Sequence, residues 1–316
     1  MTIRLNNIKG QTQIKKKSFA KRLKNNYQLY LMVLPAITLV FIFSYVPIYG
    51  MQIAFKDFNA KLGIWGSPWV GLEHIFKFIK SPYFYKLMWN TFSINFYSLI
   101  CSFPIPIIIS LIVNEITNAR YKKALQTIIC APHFISTVVM VGIIFLFTSE
   151  SKGIINSVLD MLGFERIPFM AKAEWFRPIY IISGIWQNFG WTSIIYIAAL
   201  TGVDIEMHEA AIIDGATRLQ RIWHINLPTI KPTIIILLLM NMGRMLNVGF
   251  EKIYLMQLPL NQDVSEVIAT YTYKIAFEGG SFSYGTSIGL FINVINLILL
   301  LIFNNISKSV NDVSLW

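Results

Sequence analysis

The chain has 316 residues, of which 55% are hydrophobic and only 14% charged, and a net charge of +11. Soluble domains carry about a quarter charged residues; here the apolar residues come in long blocks, which argues for an integral membrane protein and against one large soluble core. The charge argues against nucleic acid as a partner, because eight of the 27 basic residues (Arg4, Lys9, Lys15, Lys16, Lys17, Lys21, Arg22, Lys24) precede the first apolar run with no acidic residue among them.

Residues 1–28 therefore read as a basic cytoplasmic segment, held inside by its charge and able to lie on anionic membrane lipid. The first predicted span is 29–50. Its apolar run is too long for a secretory signal and no A-x-A-like site follows it. Residues 51–88 form an extracellular segment in which "GSPWVGLEHIFKFIKSPYF" predicts a short surface helix. Five more spans are predicted within 89–303, at 89–113, 127–148, 179–200, 230–249 and 286–303. Pro104 and Pro106 interrupt the second span and Arg244 lies in the fifth. Residues 304–316 are a cytoplasmic tail. Six spans place both termini in the cytoplasm, with 15 basic residues on that side and 11 on the other, as the positive-inside rule requires. Cys101 and Cys130 fall in apolar runs and read as packing residues. The four histidines share no metal-ligand spacing.

Between the fourth and fifth spans lies a polar stretch, "EAAIIDGATRLQRIWHINLP", over 209–228. Asp204 is a good N-cap for a helix over 205–214. Gly215 suits the C′ position, where a positive φ ends a helix at little cost. Thr217 and Gln220 have capping-box spacing for a second helix, which places Leu219, Ile222, Trp223 and Leu227 near one face and stops at Pro228. Small residues at Ala210, Ala211 and Gly215 permit close approach of another backbone or side chain. The pair reads either as a rigid lever or as an ordinary capped cytoplasmic loop.

Glu209, Ala210, Ala211, Gly215, Ile225, Leu227 and Pro228 match the spacing E-A-A-x-x-x-G-x(9)-I-x-L-P in full. This resembles the signature of the membrane subunits of binding-protein-dependent ABC importers. "LPAITLVFIFSYVPIYGMQIAFKDFN", "QTIICAPHFIS" and "WFRPIYIISGIWQNFGWTSIIYIAAL" extend the resemblance over nearly the whole chain, toward the carbohydrate permeases of Gram-positive bacteria. The resemblance implies an all-α integral membrane protein with the type I ABC importer permease fold. It implies coupling to an ATPase through Glu209, Ala210, Ala211, Asp214, Gly215 and Arg218, and a location in the cell membrane. The implied partners are a second permease subunit in a heterodimer, two ATPase subunits and an extracellular solute-binding protein. ATP and Mg belong to the ATPase subunits, with no cofactor and no catalytic residue on this chain. In agreement, no G-x-x-x-x-G-K-[ST] phosphate loop occurs in the sequence.

Candidates for the substrate path are few. Asn241, Arg244 and Asn247 recur every three residues and predict a polar stripe on one face of the fifth span. An arginine there costs at least about 2.5–3.5 kcal/mol and should face protein or water. It either lines the path, where an acidic sugar would offset it, or makes an internal polar contact. "IWQNFGW" offers Gln187, Asn188 and Trp191, amides and an aromatic suited to a sugar wall or, for the tryptophan, to packing. Asn90 and Asn95 are weaker candidates. The same architecture importing another solute, such as peptides, is one alternative. An ion-coupled secondary transporter is another, disfavoured because the predicted spans contain no Asp or Glu.

Overall fold

The computed structural model describes residues 26–311 and 314–315; the basic residues Arg4 to Lys24 lie outside them. The chain divides into two units, Met1–Gln52 and Ile53–Trp316. In the first, α1 (Tyr27–Val40) continues through a π turn over Phe41–Tyr45 and a further turn over Val46–Gly50. It is apolar all round and buries no side chain, as a helix surrounded by lipid does.

The second unit is helical, and among the described residues it holds no strand beyond one isolated bridge between Lys56 and Trp69. The surface helix predicted from 51–88 is α2 (Glu73–Ile79). Next come α3 (Phe84–Ser102) and α4 (Pro104–Asn114), which run on as one rod. Pro104 opens α4, where its missing N–H costs little.

The predicted third span is instead broken. α5 (Ala119–Cys130) is capped by Asn118, whose side chain accepts from the N–H groups of Arg120 and Tyr121. α6 (Thr137–Thr148) is capped by Ser136. Between them a 3-10 turn, Ala131–Phe134, containing Pro132, gives way to extended Ile135 and Ser136, and the two helices meet at 93°. Proline and a side-chain cap in adjacent turns stop one helix and start another.

α7 (Ile154–Met161) lies against α6, and α8 (Ala173–Leu200) follows as the central helix, touching α3, α4 and α5. The two helices of the polar stretch after α8 are α9 (Ile205–Ile213) and α10 (Arg218–Arg221). Pro228 does not stop the second of them. A π turn over Ile222–Asn226 closes with an i→i+5 bond from Leu227 N–H to Ile222, and α11 (Leu227–Met242) follows in line. Proline fits the first turn of a helix, so the rod runs from Arg218 to Met242.

α11 ends seven residues before the predicted edge of the fifth span. The chain turns at Gly243–Leu246 and restarts as α12 (Phe250–Met256). Side chains from other helices satisfy this turn: Asn95 donates to Met245 O at 2.8 Å, and Asn296 accepts from Leu246 N–H at 3.1 Å. α13 (Ile268–Tyr273) and α14 (Phe282–Asn311) complete the unit.

Among the described residues, four helices are long and apolar enough to cross a membrane, Tyr27–Phe55, Phe84–Asn114, Arg218–Met242 and Phe282–Ser309, and five if the bent α5–α6 pair counts as one. α8 has the length but carries Gln187 and Asn188 mid-helix. Among the described residues, the second unit packs around three apolar clusters. One joins α3, α6, α8 and α12 through Ile94, Ile144, Phe176 and Ile253. Another joins α2, α3, α13 and α14 through Phe78, Leu87, Ile268 and Ile288. The third joins α8 to α11 through Tyr196, Leu200 and Ile230.

Candidate functional site

Two places in the second unit carry the polar residues of interest. The first is a cavity of 310 Å³ bounded by α3, α4, α8, α11 and α12. α8 supplies its longest wall, with Tyr180, Gln187 and Asn188 spaced so that they fall along one side. Gln187 Nε2 donates to Ile135 O at 2.9 Å and so satisfies the broken α5–α6 segment. Asn188 donates to Gly184 O at 3.0 Å and meets His133 Nδ1 through its carbonyl oxygen at 3.0 Å. Asn241 enters from the end of α11, with its amide donating to Leu237 O at 2.8 Å. Lys252 enters from α12. Its Nζ donates to Tyr180 O at 3.0 Å and sits 4.7 Å from the centre of the Tyr180 ring. Amides, hydroxyls and aromatic rings of this kind match the hydroxyl edges and apolar faces of a sugar.

Of the six substrate-path candidates, the structure brings Gln187, Asn188 and Asn241 together and leaves out the other three. Arg244 and Asn247 share no helical face with Asn241, because α11 has ended; both are exposed in the turn that follows. Trp191 stacks on His133 with ring centres 4.6 Å apart, and Phe134 meets it edge-on. Asn90 is also spent elsewhere. Its amide donates to the backbone of Asp263 and Glu266, each at 3.0 Å, and Arg177 donates to its oxygen at 3.0 Å. Lys252 and Tyr180 were not legible as site residues. Lys252 sits in a segment that reads as an outer loop, and only the fold lays α12 against α8.

The second place is the α9–α10 pair. Asp204 caps α9 by accepting from Glu206 N–H at 3.0 Å. Gly215 ends the helix at φ +79°, with its N–H bonded to Ile212 O and that of Ala216 to Ala211 O. Thr217 and Gln220 form the reciprocal capping box. These local devices follow the spacing in the sequence. α9 buries nothing, and Glu209, Ala210, Asp214 and Arg218 are exposed beside Ile205, Ile212 and Ile213. Ala211, Asp214, Gly215, Gln220 and Arg221 line a shallow hollow of 340 Å³ between the two helices. The pair is tied to α4 at its root: Arg221 Nη2 lies 3.8 Å from Glu115, and the buried Asn226 amide donates to the same carboxylate at 3.4 Å.

Residues 96–312 match the family model described as the binding-protein-dependent transport system inner membrane component. The chain is 42% identical to Protein LplB of Bacillus subtilis over 95% of its own length and 94% of that protein. It is 41% identical to the polygalacturonan/rhamnogalacturonan transport system permease protein YteP of the same organism, over 96% and 94%. Among solved structures, it is similar to a chain of a bacterial ABC transporter involved in the import of the acidic polysaccharide alginate, with 39% identity, a TM-score of 0.83, and coverage of 92% of this chain and 99% of that one. A chain of a bacterial alginate ABC transporter in complex with an alginate pentasaccharide-bound periplasmic protein gives a TM-score of 0.84 at 38% identity, covering 94% and 99%. The helical architecture is thus the type I ABC permease fold. The chain belongs to the family of binding-protein-dependent transport system inner membrane components, and it is a multi-pass permease component, not an enzyme.

Proposed function

We propose that this chain is one of two permease subunits in an ATP-driven oligosaccharide importer of the cell membrane. The observation that carries this reading is the cavity beside α8, whose polar lining of Gln187, Asn188, Asn241 and Tyr180 lies among helices able to cross a membrane. The similarity to permeases for polygalacturonan and rhamnogalacturonan and for alginate supports a saccharide cargo.

In this reading the chain crosses six times. α8 adds a crossing to the bent α5–α6 pair and the four apolar helices; its 28 residues span about 42 Å at 1.5 Å per residue. Both termini and the α9–α10 pair then lie in the cytoplasm. Glu209, Ala210, Ala211, Asp214, Gly215 and Arg218 meet a partner ATPase subunit, which supplies ATP and Mg. The exposed apolar and charged residues of α9 form that contact, and the small side chains let the partner approach closely. Closure of two ATPase subunits pushes the pair. The in-line rod from Arg218 to Met242 carries the displacement to Asn241 at the cavity, alternating its access between the two sides. An extracellular solute-binding protein delivers the cargo, and a second, different permease subunit supplies the other half of the path.

The test is reconstitution of the chain with its co-purifying partners in proteoliposomes. ATP-dependent uptake of an oligosaccharide is expected, lowered by Gln187→Ala and by Asn241→Ala and uncoupled from hydrolysis by Glu209→Ala. Uptake indifferent to all three variants refutes the assignment of path and lever. ATP-stimulated uptake by this chain alone refutes the division of labour.

A further inference from the structure

Lys252 is the single charged side chain lining the cavity among the described residues. Among the described residues no Asp or Glu lies within 4.0 Å of it, as their ion pairs all lie elsewhere. The group is held in place: the Tyr180 carbonyl takes one of its donors, the Tyr180 ring lies beneath it, and Gly184 leaves room on α8, where an added Cβ would sit 3.4 Å from Nζ. An ammonium carries three donors, so two remain for an occupant. A cation in a partly enclosed cavity without a counter-charge favours anions there and disfavours cations. The sequence pattern placed this role on Arg244, which the fold leaves outside the cavity.

We propose that Lys252 selects the cargo of this cavity, pairing with a carboxylate on the sugar, so that the transported class is uronate-containing oligosaccharides. The carboxylate meets the free donors of Nζ, while Gln187, Asn188 and Asn241 serve hydroxyls along the chain of the sugar. Tyr180 is the positioning residue, since its ring and carbonyl fix where the charge stands. This inference rests on the reading of the cavity as the sugar path.

The experiment uses the reconstituted complex with its binding protein. It compares uptake of a short oligogalacturonate with uptake of the same oligosaccharide after its carboxyl groups are reduced to alcohols. The two cargoes differ only at the group Lys252 is assigned to meet. The same binding protein serves every variant, so its own preference cancels when variants are compared. Hydrogen bonds to a charged partner correspond to about 10- to 100-fold in affinity. Lys252→Gln is therefore expected to lower the acid-to-neutral uptake ratio by at least about tenfold, and Lys252→Arg to keep it. Equal loss of both cargoes in Lys252→Gln, or an unchanged ratio, overturns the inference and leaves the sugar path standing. If Lys252→Gln is not recovered in the membrane, Lys252→Arg and Tyr180→Leu decide: an unchanged ratio in Tyr180→Leu overturns the positioning role. Import of neither cargo by the wild-type complex defeats the sugar-path reading, and this inference with it.

Discussion

At Gly190, α8 lies close against the backbone of α5. A Cβ placed on it would sit 2.0 Å from Ile129 O and 3.0 Å from Cys130 N, in the last turn of α5. Neither atom can rotate away, so Gly190→Ala must push α8 and α5 apart by roughly an ångström in a close-packed interior. Overpacking of this kind costs about 1–3 kcal/mol, and backbone contact puts it at the upper end. Against this, alanine gains about 0.5–1 kcal/mol over glycine in a helix. The net expectation is about 2 kcal/mol of destabilisation. Gly142 in α6 is the matched control, because a Cβ there meets nothing within 4 Å, so Gly142→Ala should stabilise by up to about 1 kcal/mol. The assay is denaturant unfolding of the full chain in detergent, followed by tryptophan fluorescence. Identical effects of the two substitutions refute the close α8–α5 crossing. The displacement also moves the wall that carries Gln187 and Asn188, so Gly190→Ala should lower uptake beyond its effect on the amount of folded protein.

At Gly215 an added Cβ meets nothing within 4 Å, so the penalty comes from φ +79° alone. Gly215→Val should therefore cost more than the roughly 1–2 kcal/mol of a left-handed residue, while Gly215→Asn restores most of it; equal uptake by the two variants refutes this. Glu115→Gln strips the Arg221–Asn226 joint of its charge and is expected to destabilise the chain by about 1–3 kcal/mol in the same unfolding assay; no change refutes the joint. Lys86 donates a hydrogen bond to Asp263 and holds its carboxyl below the ordinary carboxylate range. Because the folded-state value is lowered, the small stabilisation is present at neutral pH and lost as pH falls through that lowered value. Asp263→Asn should then differ from wild type at pH 7 and match it in strong acid, in thermal unfolding followed by fluorescence. Asn90→Leu removes three hydrogen bonds and leaves Arg177 without that partner. It should destabilise by at least about 2 kcal/mol, and a neutral effect in denaturant unfolding contradicts the hub.

What the sequence made legible was local. Asp204, Gly215 and the Thr217–Gln220 box act within four residues of themselves, and each took the predicted role. The long apolar runs marked helices for the same reason. Pro228 misled because its effect depends on the register of the turn before it, and the π closure at Ile222–Leu227 admits it. The spacing of Asn241, Arg244 and Asn247 presumed a helix that Met242 ends, and the partners that cap that end, Asn95 and Asn296, lie far away in the chain. Lys252 was invisible for the complementary reason: its meaning comes from Tyr180, 72 residues earlier. The cavity's polar residues were half legible because three sit on two regular helices, whereas its charge arrives from a short helix in a connecting segment.

The π turn at Ile222–Asn226 sets the rotational phase of the rod that contains it. An α-helix advances about 100° per residue, and a π turn holds one residue more than the α turn it replaces. The face that α10 offers outward and the face that α11 packs against Tyr196 and Leu200 through Ile230 are therefore offset by about one residue's rotation. Removing His224 alone would leave every cap, apolar residue and proline present and still turn the exposed face away. The azimuth of the helix pair is thus written in the number of residues between Arg221 and Leu227, independently of which residues they are.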